Sequence, residues 1–151
     1  MTSHETALYE NSFPVEGGTF ENAGRVSTQI KALLKGMLLP KAIVRRVAIV
    51  TYEAEMNICS YANCGRIVIR VTSTQVTIEV TDKGQGIADI KLAMQTGYST
   101  ATEKIRRMGF GAGMGLSNIK RFSDSFRITS EVGIGTHLKM IILINKDREG
   151  K

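Results

Sequence analysis

The stretch "RIVIRVTSTQVTIEVTDKGQG" occupies residues 66–86. Residues 66–72 and 76–81 are rich in β-branched side chains and partly alternate, with a short polar turn between them. That pattern predicts a β-hairpin. The second strand runs directly into Asp82 and then into "DKGQG", 82–86. A carboxylate at a strand end is thereby followed by glycine at alternate positions. Taken by itself, Asp82 could equally close the strand as an Asx-turn.

A half-buried hairpin needs a cover, and helices on both sides of it in sequence supply one. Upstream, residues 5–13 are a strand candidate and "VEGG", 15–18, a turn. Val26, Ile30, Leu33, Leu34 and Met37 have helical spacing, predicting a helix from Asn22 to Met37. Pro40 starts a second helix, as proline favours the first turn. In it Ile43, Val47, Val50 and Ala54 share one face, with Asn57 at the edge and Tyr61 in line. Glu53 lies one turn before Asn57 and points the same way, whereas Glu55 points almost opposite and reads as solvent-facing.

Downstream, Ile87, Ile90 and Met94 predict a short helix over about 88–95. Residues 96–113 have no sustained period and read as a long loop, a feature that is usually functional in a compact domain. A helix is expected to start near Met114 and run through "GLSNIKRFS". "SFRITSE", the "VGIG" turn and "THLKMIILI" form a second hairpin. The expected fold is an α/β (α+β) two-layer sandwich, with helices on one face of a mixed, mainly antiparallel sheet.

The chain has 151 residues, which suits a single domain over 1–151. No apolar run approaches the ~20 residues of a membrane span. The N-terminus has neither the basic nor the apolar region of a secretory signal. Cys59 and Cys64 are the only cysteines, in a spacing that reads as reduced cytoplasmic thiols. His4 and His137 form no metal motif. The net charge is +6, with Lys104, Arg106, Arg107, Lys120 and Arg121 flanking a second glycine run. Nucleotide phosphates, an acidic protein partner or a solvated surface all account for these cations. Nucleic acid is disfavoured, since no aromatic platform accompanies them and Trp is absent.

That second run is "GFGAGMGL", 109–116. It lacks the lysine of a Walker A motif, does not follow a strand as a Rossmann fingerprint must, and has none of the protein-kinase signatures. It remains as bare backbone leading into a helix start, where free N–H groups favour an anion. Alone, it is also compatible with a slack loop.

The combination of segments resembles the GHKL ATPase superfamily, which has the Bergerat ATP-binding fold. "EAEMN" (53–57) looks like its N box, "DKGQG" (82–86) its first glycine box, "GFGAGMGL" its second, and "GIGT" (133–136) its terminal Thr motif. These landmarks fall in the right order over about 45–140. "DIKLAMQTGYST", "GAGMGLSNIKRFSD" and "SEVGIGT" look like the bacterial anti-sigma-factor and switch-protein serine/threonine kinase branch, in particular the RsbT-like type.

The resemblance implies ATP and Mg²⁺ as cofactors. Asp82 would accept a hydrogen bond from the adenine amino group, with Thr136 in support and Gly84 and Gly86 letting the backbone pass close. Asn57 would ligate the metal. Glu53 would be the catalytic base; the alternatives are a core-edge Asn57 satisfied by backbone and a Glu53 that is an ordinary helix-surface acid. Thr100, Lys104, Arg106 and Arg107 would lie in an ATP lid over about 96–113. Gly109, Gly111, Gly113, Met114, Gly115 and Leu116 would form its hinge and phosphate-binding end. Arg25 would meet a partner protein. The implied activity is phosphorylation of a STAS-domain anti-anti-sigma or stressosome-type protein in a partner-switching pathway controlling a sigma factor. A phosphatase-activator target is a further possible partner. The alternatives are an anti-sigma factor acting mainly by ATP-dependent binding and a detached histidine-kinase catalytic domain. A cytoplasmic monomer or homodimer is expected, with neither nucleic acid nor membrane as partner.

Overall fold

The computed structural model describes residues 6–95 and 115–144. Its order is β1 (Tyr9–Glu16), α1 (Arg25–Gly36), α2 (Lys41–Tyr61), β2 (Ala62–Val71), β3 (Gln75–Gly84), α3 (Ile90–Ala93), α4 (Gly115–Arg121), β4 (Ser125–Glu131) and β5 (Gly135–Leu143). The five strands form one sheet in the order β1-β2-β3-β5-β4, and every neighbouring pair is antiparallel. The expected two-layer sandwich is therefore observed.

Both predicted hairpins form, β2–β3 with Ile67 opposite Val80 and β4–β5 with Ile128 opposite Leu138. Period-2 alternation places Ile67, Ile69, Val76, Ile78, Leu138, Met140 and Ile142 on the face that the helices cover, each at most 4 % exposed. The opposite face is polar. There His137 pairs with Glu79 at 3.1 Å.

The first strand runs further than its sequence indicates. Val15 pairs with Gly65 and Glu16 with Cys64, so the chain leaves the sheet only at Gly17 and Gly18. The expected turn at 15–18 is thus confined to its two glycines. α1 likewise starts later than expected, after a left-handed Gly24 at φ 90°. α3 is shorter than expected, four residues within the predicted 88–95.

Helix α2 is the centre of the core. Ile43, Val47, Val50, Ala54 and Ile58 are all fully buried. At roughly 1.5–3 kcal/mol for each large apolar side chain, this stripe fixes the rotation of the helix about its axis.

Glu55 is the clear departure from the sequence expectation. It is 2 % exposed rather than solvent-facing. Its Oε2 accepts from the Val26 N–H at 3.1 Å, and its Oε1 from the Ser27 N–H at 3.0 Å. The first N–H groups of a helix have no partner within it. α1 lacks a side-chain cap of its own, so a carboxylate from α2 takes that role and meets the positive end of the α1 dipole. The buried arc of α2 is wide because two layers, sheet and α1, cover it. One turn on, burial and then the Glu55 charge push the Cys59 thiol up to about 11. Cys59 and Cys64 are both free, the first buried and the second exposed.

Replacing Glu55 with Ala orphans two buried N–H groups. The expected loss is about 3 kcal/mol in chemical denaturation. A solvent-facing glutamate would cost no more than ~0.5 kcal/mol.

Candidate functional site

A cavity of about 540 Å³ opens between α2, the ends of β3 and β5, the 85–93 segment and the start of α4. Its polar lining includes Asn57, Asp82, Gln85 and Thr136, and its walls are Val80, Ile87, Leu92 and Leu138. A mostly apolar slot with a few convergent polar groups is the usual form of a small-molecule site.

The deep polar end is held by a connected set of hydrogen bonds. The Thr136 N–H donates to Asp82 Oδ1 at 3.2 Å. The Ser130 hydroxyl accepts from the Ile87 N–H at 2.7 Å and donates to the Gly135 carbonyl at 3.1 Å. Its oxygen is also 2.8 Å from the Thr136 hydroxyl. With the Ser130 proton on the Gly135 carbonyl, Thr136 donates to Ser130 and keeps its lone pairs as acceptors. The Gly133 N–H reaches the Gln85 carbonyl at 2.9 Å. Gly86 sits at φ 75°, and a Cβ there would run into the Glu131 carbonyl. Only glycine satisfies both constraints. The "DKGQG" segment is thus clamped onto the β4–β5 hairpin, and Asp82 is fixed with it. Ser130 opens the "SEVGIGT" stretch, but sequence alone assigns it no site role, since the role of its hydroxyl depends on the Ile87 N–H and the Thr136 hydroxyl that it meets.

Burial raises the Asp82 pKa above 3.8, and the N–H bonds of Thr136 and Gly84 partly offset it. A half-buried carboxylate beside an apolar slot is suited to accept from a neutral amino group, where a flat heteroaromatic ring fills the slot.

At the other end, Glu53 and Asn57 approach the start of α4. A Cβ on Gly115 would lie 3.1 Å from Asn57 Oδ1 and 3.5 Å from Glu53 Oε1. The bare Cα of Gly115 therefore allows both side chains to meet the backbone there. Glu53 Oε2 accepts from Asn118 Nδ2 at 3.1 Å, a second contact that the sequence did not signal. Asn57 makes no side-chain hydrogen bond among the described residues, and no cluster of three or more His, Cys, Asp or Glu among them could hold a metal. One amide oxygen fits Mg²⁺, which keeps most of its waters and is commonly shared with substrate phosphates.

Asn57, Asp82, Gly86, Gly115, Leu116 and Thr136 therefore gather around one cavity, with Glu53 at its edge. Gly84 does not line it; a Cβ there would lie 2.7 Å from the Tyr61 carbonyl, so its bareness serves the close approach of β3 to α2. Arg25 is exposed at the start of α1, apart from the cavity. Thr100, Lys104, Arg106, Arg107, Gly109, Gly111, Gly113 and Met114 lie outside the described residues. Lys120 and Arg121 occupy the last turn of α4, where cations suit the helix dipole. Arg121 also stacks 5.3 Å from the Phe122 ring centroid.

Residues 42–146 match the family described as histidine kinase-, DNA gyrase B-, and HSP90-like ATPase. The chain is 38 % identical over 90 residues to an anti-sigma F factor of Pasteuria penetrans, covering 60 % of this chain and 57 % of that one. It is 37 % identical over 78 residues to an anti-sigma F factor of Thermoanaerobacter sp. (strain X514), covering 52 % and 51 %. It is 33 % identical over 100 residues to the serine/threonine-protein kinase RsbT of Bacillus subtilis (strain 168), covering 64 % and 69 %. The chain thus spans about half the length of the anti-sigma F factors it matches. No helix among the described residues is long and apolar enough to cross a membrane.

Asp82→Asn separates a binding role from a structural one. Because the folded pKa lies above the unfolded value, the folded protein holds the Asp82 proton more tightly. Ionisation as pH rises through that window therefore costs stability. At neutral pH the Asn variant is expected to melt at the same temperature or higher, while ATP affinity falls at least tenfold as an acceptor is replaced by a donor. Thermal melts and ATP titration on the same sample check both.

Proposed function

The chain belongs to the histidine kinase-, DNA gyrase B-, and HSP90-like ATPase family, and on that premise we propose that it is an ATP-dependent protein serine/threonine kinase. Its substrate is a STAS-domain antagonist, and its pathway controls a sigma factor by partner switching. The observation that carries this reading is the placement of Glu53 and Asn57 one turn apart on α2, both against the start of α4 at the edge of the cavity that ends on Asp82. The RsbT relative is named a serine/threonine-protein kinase, which supports the same assignment.

In this reading the adenine fills the slot between Ile87, Leu92 and Leu138, and its amino group donates to Asp82. The phosphates extend toward Asn57 and Gly115. Magnesium would neutralise charge on the phosphates, and Asn57 is the side chain that would hold it. The substrate hydroxyl approaches the γ-phosphorus in line. Its oxygen forms the new P–O bond as the bond to the β–γ bridging oxygen breaks, and ADP leaves. Glu53 accepts the hydroxyl proton, and Asn118 holds that carboxylate in orientation. The lid residues Thr100, Lys104, Arg106 and Arg107 and the glycines of 109–113 would close over the phosphates, with Met114 at the start of the phosphate-binding end. Arg25 would contact the partner.

A second reading draws on the anti-sigma F factor relatives; in it this chain acts mainly by nucleotide-dependent binding of a sigma factor. Incubation with γ-labelled Mg-ATP and the STAS-domain proteins of the same organism separates the two. Label is expected on a Ser or Thr of one of them. Glu53→Gln is expected to lower transfer by roughly 10²–10⁴-fold with ATP affinity retained. Sigma-factor capture with no transfer to any of these proteins would favour the second reading.

A further inference from the structure

A second depression, of about 820 Å³, lies on the outer side of the helical layer between α1, the 37–40 connection and α2. Its floor is apolar, with Leu39, Val44, Ala48 and Ile49. Its rim carries Lys31, Lys35, Lys41 and Arg45, all exposed. The single acidic side chain lining it is Glu53, at one end. Among the described residues Lys31, Lys35 and Lys41 form no ion pair.

Leu38, at the other end, is not explained by the fold. It is 89 % exposed and lies at φ 62°. The end of α1 closes as a Schellman turn, with the Leu38 N–H on the Lys35 carbonyl at 3.0 Å and the Leu39 N–H on the Leu34 carbonyl at 3.5 Å. The left-handed position of that turn favours glycine. Here a bulky apolar side chain occupies it and faces water, so the chain bears both backbone strain and apolar exposure at one residue.

We infer that this groove docks an acidic, apolar-faced segment of the phosphoacceptor protein and so delivers its hydroxyl to Glu53. The inference rests on the kinase reading above. Three observations support the occupant. Four cations against the single carboxylate of Glu53 give the groove an excess of positive charge, which selects an acidic partner. Leu38 offers an apolar anchor beside an apolar floor, the pattern of a groove that takes an amphipathic segment. Glu53 lines both this groove and the approach to Gly115, so an occupant is led to the phosphate end of the nucleotide cavity. From Lys41 to Glu53 the groove follows α2 for about 18 Å, at 1.5 Å per residue. That suits a segment of about three helical turns.

The test uses the full chain with Mg-ATP and the STAS-domain proteins of the same organism, following partner binding by titration and transfer by γ-label. Two variants lie outside the nucleotide site, Leu38→Gly and the double charge reversal Lys35→Glu with Lys41→Glu. Leu38→Gly relieves the left-handed strain, so its melting temperature is expected to be unchanged or higher. Both variants are expected to raise Kd and KM for the partner about tenfold or more, with KM for ATP within about twofold and the partner Kd more salt-sensitive in the parent than in the charge reversal. Transfer with an unchanged partner KM in both variants overturns the groove and leaves the kinase reading standing. Partner binding lost in the variants, with no transfer by the parent protein, keeps the groove as a docking surface but overturns the kinase and with it the delivery of a hydroxyl to Glu53. Binding of none of these proteins by the parent overturns both. Sedimentation of the same variants adds one further outcome. Altered self-association without altered partner binding would assign the groove to a second copy of this chain and overturn the proposal.

Discussion

Everything else in this molecule depends on the helical phase of α2. Ile43, Val47, Val50, Ala54 and Ile58 are removed from water together, and no other rotation of the helix would bury all five. With that rotation fixed, Glu53 and Asn57 must face α4, and Glu55 must face α1. The apolar stripe carries no chemistry, yet it sets the direction of three polar side chains to well within a turn. A single slip of one residue would move each of them by about 100°.

The cavity between α2, β3, β5 and α4 has two ends of different construction. At the Asp82 end, strand pairing and a side-chain network involving Ser130 and Thr136 join three backbone segments. Fixed groups there suit recognition of a flat base, since polar atoms set in advance do not have to be ordered on binding. At the other end, the contacts are side chains of α2 against the bare start of α4, with Asn118 bridging to Glu53. That end depends on how α4 is set against α2.

Glu55 joins a third part to the same helix. Its carboxylate holds the first N–H groups of α1, immediately after Arg25. The position of α1 is therefore fixed by the helix that also carries Glu53. The outer groove between α1 and α2 inherits its shape from this tie, together with its cationic rim. Three surfaces of one helix thus face the sheet, the start of α4 and α1.

Both hairpins, the central helix and the order of the elements were legible in the sequence, because alternation and the 3.6-residue period are local signals. Glu53, Asn57, Asp82, Gly86, Gly115 and Thr136 could be picked out as candidates because each lies in a short motif of recognisable spacing. The burial of Glu55 was not legible. A lone helix gives a glutamate 110° or so from its apolar stripe no reason to be inside, and the reason arises only when α1 packs there with unpaired N–H groups to satisfy. Ser130 and Asn118 were hidden for the same cause, since a hydroxyl or amide acquires its role from the partner it meets, not from its neighbours in the chain. The full reach of β1 depended on β2 to pair with it. Local periodicity thus determined which elements exist and which of their residues are apolar. Tertiary packing alone decided which polar groups meet, because hydrogen bonds between segments dozens of residues apart leave no trace in either segment's own pattern.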